Sequence, residues 1–252
     1  MSDLTGLRIA VTGGASGMGA AVVHGFPRLG AAVVSLDRAV EAGQRVAAEG
    51  GAAFVECDVA DERSVEAAFS AAAEQLGGLD VLVHAAGVAA RAPAAEQNVD
   101  EWHRVMATNA GGTFLTNRAA YPHLKENRGA ILNFASAAGV RGAAGWGAYA
   151  ASKGAVVAWT RTIALEWGPD GIRANCIAPA MRTPMFDGTR STMTIEQLAA
   201  WDEQLRATIP LGGRLGDPEQ DLVPVLAFLS CSDSGYITGQ TISIDGGMLM
   251  VR

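Results

Sequence analysis

The chain has 252 residues, 49% of them hydrophobic and 18% charged, which excludes a disordered polymer and allows a well-buried core. A formal charge of −7 disfavours nucleic acid or an anionic membrane as partner, because both are held by clustered Lys and Arg. No apolar run reaches the roughly 20 residues that span a bilayer, and MSDLTGLRIAVTGG lacks a basic segment followed by an apolar one, so a cytoplasmic protein is expected.

The first short apolar run, Leu7–Thr12, predicts a strand and leads straight into Thr12-Gly13-Gly14-Ala15-Ser16-Gly17-Met18-Gly19. Glycines there let a pyrophosphate approach the main chain, and a helix over Gly17–Leu29 would aim its free N–H groups at the phosphates. Gly13, Ser16, Gly17, Met18 and Gly19 are therefore the candidate phosphate cradle. A second strand, Ala31–Leu36, ends at Asp37, whose carboxylate can accept from both hydroxyls of an adenosine ribose and would repel a 2′-phosphate. That favours NAD over NADP, although Arg38 beside it offsets part of the repulsion. A helix over Val40–Glu49 and a strand over Ala53–Cys57 follow, and then Asp58, a candidate acceptor for the adenine amino group.

Helix Ser64–Leu76, strand Val81–His84, helix Val99–Leu124 and strand Ala130–Phe134 continue the alternation. Helix Ala148–Trp167, strand Arg173–Ile177, helix Pro218–Ser230 and strand Thr241–Ile244 complete it. Pro27, Pro122 and Pro224 should kink or end their helices. Seven apolar strands without clean alternation, interleaved with helices, predict one α/β domain over 1–252. Its core is a Rossmann-type, doubly wound, mainly parallel sheet with helices on both faces. Met181–Ile209 is long for a connection and reads as a lid over a substrate. Cys57, Cys176 and Cys231 show no CxxC spacing and read as small buried residues rather than metal ligands.

Tyr149 and Lys153 lie four apart on one helix face, so the ammonium can favour the phenolate and ready it for proton transfer. Ser136, at a strand's C-terminal end, is placed to donate to a substrate oxygen beside Tyr149. Together these residues resemble the classical short-chain dehydrogenase/reductase family over essentially the whole chain. The matching motifs are TGGASGMG, Asp58-Val59, Asn109, Ser136, YAASK (Tyr149–Lys153), Asn175 with Ile177-Ala178-Pro179, and YITGQTISIDGG (Tyr236–Gly247).

The resemblance implies a nicotinamide cofactor and a homotetramer. It makes Tyr149 the general acid/base, with Lys153 lowering its pKa and binding the nicotinamide ribose. Ser136 would orient the substrate oxygen, and Asn109 would hold a water that passes protons from Lys153 to solvent. It adds Val59, Ala85, Ala86, Gly87, Pro179, Met181 and Thr183 to the cofactor contacts. The family's Asn-Asn-Ala-Gly is here His84-Ala85-Ala86-Gly87, so other groups must replace two amides; His84 is a candidate for one. Pro179-Ala180 replaces a Pro-Gly turn, and the run to Thr183-Pro184-Met185 is one residue shorter than usual.

Trp146 lies one turn before Tyr149 and should face the reacting atoms, with Met181, Met185, Phe186, Met193 and Trp201 in the lid. Trp146, Met181, Met185, Phe186 and Trp201, with Ser136, are the candidate substrate pocket and favour an apolar or aromatic secondary alcohol or ketone. Arg141 and Arg182 are candidate mouth cations. Reduction of a 3-oxoacyl group on acyl carrier protein with NADPH competes with this function. It is disfavoured by Asp37 and by sparse basic provision at Asn127-Arg128 and Asp170-Gly171. A non-catalytic dinucleotide sensor or scaffold would have no need for Asn109, Ser136, Tyr149 and Lys153 together.

Overall fold

In the computed structural model, residues 2–250 are described, apart from the side chains of Met185 and Thr189; residues 1, 251 and 252 of the expected domain lie outside them. The first unit is β1 (Arg8–Thr12), α1 (Gly17–Gly25), β2 (Ala32–Asp37), α2 (Val40–Gly50), β3 (Ala53–Glu56) and α3 (Glu62–Leu76). Next come β4 (Val81–His84), α4 (Val99–Met106), α5 (Gly112–Asn127), β5 (Ala130–Phe134), α6 (Ala137–Arg141) and α7 (Gly147–Trp167). The chain continues through β6 (Arg173–Pro179), α8 (Pro184–Arg190), α9 (Ile195–Thr208), α10 (Val223–Ser230) and β7 (Thr241–Ile244).

The seven strands pair in parallel in the order β3-β2-β1-β4-β5-β6-β7, so the winding reverses between β1 and β4. Strand side chains alternate between two apolar layers. Ile9, Val11, Val81, Val83, Leu132 and Phe134 pack with Val22 of α1 and Leu226 of α10. Ala10, Leu82 and Ile131 pack on the opposite layer with Phe69 of α3, Leu124 of α5 and Ile163 of α7. Because both layers are apolar, the period of two is invisible as a polar/apolar pattern and the strands read as continuous apolar runs.

The prolines act in three ways. Pro27 follows the end of α1 and opens a short 3-10 turn, and Pro224 sits in the first turn of α10, where no backbone donor is required. Pro122 lies inside α5, which runs on past it to Asn127. The expected Val99–Leu124 helix is broken earlier, by a π-helical turn over Ala107–Gly111 that carries Asn109. Helices α6, α8 and α9 fill stretches where the sequence pattern predicted none.

Candidate active site

A cavity of about 540 Å3 opens beyond the C-terminal ends of β1, β4 and β5, where the strand order reverses. Its floor is the glycine turn. Gly13 has φ +69, and a Cβ there would stand 2.7 Å from the Ala86 backbone; a Cβ at Gly19 would stand 2.1 Å from the Gly13 carbonyl oxygen. Only side-chain-free residues allow the two loops and the start of α1 to converge this closely. Ser16 caps α1 without a side-chain bond and no acid lies in the first turn, so the helix presents uncapped N–H groups and its positive end. Gly13, Ser16, Gly17, Met18 and Gly19 all line the cavity.

Asp37, Arg38, Asp58 and Val59 line the same side. Asp37 Oδ2 accepts from Ala15 N at 3.1 Å and Oδ1 from Ala39 N at 2.9 Å, which ties the end of β2 to the glycine turn. Asp58 Oδ1 accepts from Ala60 N at 3.0 Å. Cys57 also lines the cavity, and burial pushes its thiol up to about 12, away from reactive thiolate. Cradle glycines, uncapped N–H groups and a carboxylate at the second strand fit a dinucleotide.

Ala85, Ala86 and Gly87 form the central wall. In place of the amides, buried His84 puts Nδ1 2.8 Å from Thr12 Oγ1 and 3.1 Å from Thr116 Oγ1. Burial, aided by the nearby Lys153 ammonium, pushes the imidazole down to about 3, so it is neutral and acts as a structural link between β1 and α5. Thr12 Oγ1 in turn accepts from Ala86 N at 3.3 Å.

Asn109 is fully buried, and its amide clamps two elements: Oδ1 accepts from Val88 N at 2.8 Å, while Nδ2 donates to Val88 O and Ser152 Oγ, each at 2.9 Å. The adjacent Gly87 keeps the path between Asn109 and Lys153 open, since a Cβ there would stand 3.2 Å from Asn109 Oδ1 and 3.4 Å from Lys153 Nζ. Lys153 Nζ donates to Phe134 O at 2.6 Å and stands 5.8 Å from the Tyr149 ring centre. Burial pushes the ammonium down to about 8. Tyr149 lies above its ordinary value because burial disfavours the phenolate, opposed by a hydrogen bond with Ser136. Ser136 Oγ accepts from Ala138 N at 3.2 Å, which leaves its own proton to donate. Tyr149, Lys153 and Ser136 thus meet at one end of the cavity.

Trp146 lines this end, with its ring edge-on to Tyr149 at 5.7 Å, and Pro179 and Thr183 close the side. Other expected contacts lie elsewhere. Met181 is a buried core residue whose sulfur packs against Gly216, across an isolated bridge between the two, and it does not line the cavity. Phe186 and Trp201 meet edge to face with ring centres 5.8 Å apart; Phe186 and Arg182 face a separate cavity of about 390 Å3, and Trp201 lines neither. Met185's side chain lies outside the described residues. Val88, Ala89, Thr108, Ala138, Ala143 and Pro184 line the main cavity without having been singled out, because small residues carry no chemical signal in a sequence.

A family model described as enoyl-(acyl carrier protein) reductase matches residues 13–249. The chain is 38% identical to a meso-2,3-butanediol dehydrogenase of Serratia marcescens over 95% of this chain and 93% of that one. It is 36% identical to 3beta-hydroxysteroid dehydrogenase 1 of Eggerthella lenta, covering 98% and 95%. A putative short-chain alcohol dehydrogenase from Sinorhizobium meliloti superposes with a TM-score of 0.88 at 33% identity, covering 98% of this chain and 97% of that one.

Proposed function

The chain belongs to the short-chain dehydrogenase/reductase family, and on that premise we propose that it interconverts a secondary alcohol and a ketone with NAD(H), using Tyr149 as general acid/base. Relatives named as dehydrogenases of a diol and of a hydroxysteroid support an oxidoreductase acting on an alcohol, and the family implies a nicotinamide dinucleotide. The observation that carries the finer reading is the convergence of Tyr149, Ser136 and Lys153 beside an uncapped helix start in one cavity.

A dinucleotide held by the glycine turn, Asp37 and the Ala85–Gly87 wall would accept or supply the hydride. The chain's own groups handle the proton. Ser136 donates to the substrate oxygen and fixes it beside the Tyr149 hydroxyl. In oxidation the Tyr149 oxygen takes the alcohol proton; in reduction it returns one to the carbonyl oxygen. Lys153, held by Phe134 O, keeps a positive charge near the phenol and lowers the cost of its ionised form. Asn109, gripping Val88 and Ser152, positions the wall through which a water would connect Lys153 to solvent.

For the substrate we favour an apolar or aromatic alcohol, since Val88, Ala89, Ala138, Ala143 and Trp146 form the wall around Ser136 and Tyr149. The α8–α9 segment is the proposed lid. An acyl carrier protein fits less well, because Lys125 near the start of β5 is already paired with Asp170 at 3.0 Å. NAD is preferred to NADP on the strength of Asp37. The proposed homotetramer would bury exposed apolar residues such as Phe114 and Leu165 on α5 and α7, and sedimentation measures its mass.

The testing experiment follows NADH formation over aliphatic, alicyclic and aromatic secondary alcohols, with polyols and hydroxy acids alongside. Turnover of the apolar alcohols is expected. Turnover of polyols alone would overturn the substrate reading, and turnover of none would overturn the reaction.

A further inference from the structure

We infer that Arg91 forms a carboxylate-binding subsite at the outer end of the cavity, so that the preferred alcohol carries an acid group remote from its carbinol; this rests on the secondary-alcohol reading of the cavity. The loop after β4 leaves the cavity wall at Val88 and Ala89 and is then fastened to the start of α7. Ala92 N donates to Gly145 O at 3.0 Å, Ala92 and Trp146 form an isolated parallel bridge, and Gln97 Oε1 accepts from Ala148 N at 3.3 Å. Arg91 is therefore carried on backbone held in place beside Trp146.

Its guanidinium carbon stands 5.8 Å from the centre of the Trp146 ring, and that ring stands 5.7 Å from the ring of Tyr149. The two steps limit the distance from guanidinium carbon to phenol ring to about 11.5 Å. Contact with the indole leaves guanidinium N–H groups free, and these are the groups that grip a carboxylate as a fork. Among the described residues the Arg91 guanidinium has this ring contact and no carboxylate partner.

The other cations are placed differently. Arg182 pairs with Asp187 at 2.8 Å and faces the separate cavity, and Arg38 stands beside Asp37 on the far side of the glycine turn. Arg141, like Arg91, is exposed and outside the cavity lining, but among the described residues it has no ring, hydrogen-bond or ion-pair contact to hold its guanidinium near the cavity. Trp146 closes one end of the wall around Ser136 and Tyr149 and carries the Arg91 guanidinium on its ring just outside the lining, an arrangement matched by a hydrophobic body with an anion at its far end. That upper limit leaves room for a carboxylate set across one aromatic or alicyclic ring from the carbinol carbon.

The test compares kcat/KM for para-(1-hydroxyethyl)benzoate and its methyl ester in the wild-type, Arg91→Gln, Arg91→Lys and Arg141→Gln chains. Calorimetry adds the Kd of para-acetylbenzoate for the same chains loaded with oxidised dinucleotide, a pairing that cannot react. Arg91→Gln is expected to lower the acid-to-ester ratio about tenfold or more, through KM, and to weaken para-acetylbenzoate by a similar factor. Arg91→Lys should recover part of both, and rising salt should lower the ratio in the wild type. A ratio within twofold of wild type in Arg91→Gln, a larger loss in Arg141→Gln, or no para-acetylbenzoate binding to the wild type would each overturn the subsite. Arg91-dependent binding without turnover of either alcohol would instead sink the secondary-alcohol reading and leave the subsite standing.

Discussion

Asn109 and Arg190 each tie two segments together, in opposite surroundings. Asn109 is fully buried and uses both ends of its amide to join the loop after β4 to Ser152 of α7, beneath the reacting groups. Arg190 reaches from α8 to Asp202 of α9 in a part-exposed ion pair, and α9 has no buried residue. A second buried network is connected by its own hydrogen bonds: Asn133 bonds Asn117 and Thr160, Trp159 donates to Asn117, and Cys176 donates to Thr160. Removing one member of such a network strands its partners in a low-dielectric interior, whereas water replaces a surface ion pair at little cost. On the proposed reading, chemistry would be built on the part of the molecule that resists rearrangement, and access on the part that rearranges easily.

The sharpest test of that contrast is Tyr149→Phe, which should lower turnover about a hundred- to ten-thousandfold while NADH binding and Tm stay near wild type. Turnover close to wild type would remove Tyr149 from the chemistry. The pH profile comes next. Since burial raises the phenol, its proton is present at neutral pH and is lost as pH climbs past the ordinary value near 10. Oxidation needs the ionised form, so its kcat/KM should rise up to about tenfold per pH unit on the alkaline side, while reduction falls. Lys153, charged below about 8, supports the phenolate only at the lower end of that climb, and Lys153→Met should move the rise to higher pH. Stopped-flow or steady-state rates in both directions measure it, and an alkaline rise that survives Tyr149→Phe would assign the proton to another group.

Asn109→Ala should destabilise by about 1–3 kcal/mol for the first stranded group, with activity falling alongside; urea melts and rates measure both. Asp37→Ser should shift the NADH-to-NADPH ratio of Kd about tenfold toward NADPH, and equal constants in the wild type would mean that Arg38 already offsets the carboxylate. The smallest effect is expected from Arg190→Gln: no resolvable change in Tm, with KM moving more than kcat. A large loss of Tm there would show that the α8–α9 segment is part of the core after all, and would erase the comparison.

Hydrogen exchange over α8–α9 against α7 would sharpen the same contrast without any substitution, with faster exchange expected in the segment that buries less.

The order of strands and helices, the glycine turn, Asp37, and the spacing of Ser136, Tyr149 and Lys153 were legible in the sequence because each is a local pattern: apolar run, turn chemistry, helical repeat. Those residues meet in one cavity because a parallel sheet brings its strand ends to one edge. The π-helical turn that carries Asn109 was not read from the sequence: the Gly111-Gly112 pair at its end marks a weak point, but a glycine pair does not specify the wider hydrogen-bonding of a π turn. Met181, Phe186 and Trp201 read as pocket residues by their chemistry. Whether such side chains face a substrate, the core or one another is decided by packing against Gly216 and within α8–α9, distant or mutually dependent contacts that no local spacing encodes. The same holds for His84, whose neutral state comes from burial between Thr12 and Thr116, and for Arg91, which gains meaning only when the fold lays its loop against Trp146. Sequence determines which groups are available and in what order; the tertiary structure decides which of them share one low-dielectric space, because burial and charge proximity arise only once distant segments pack.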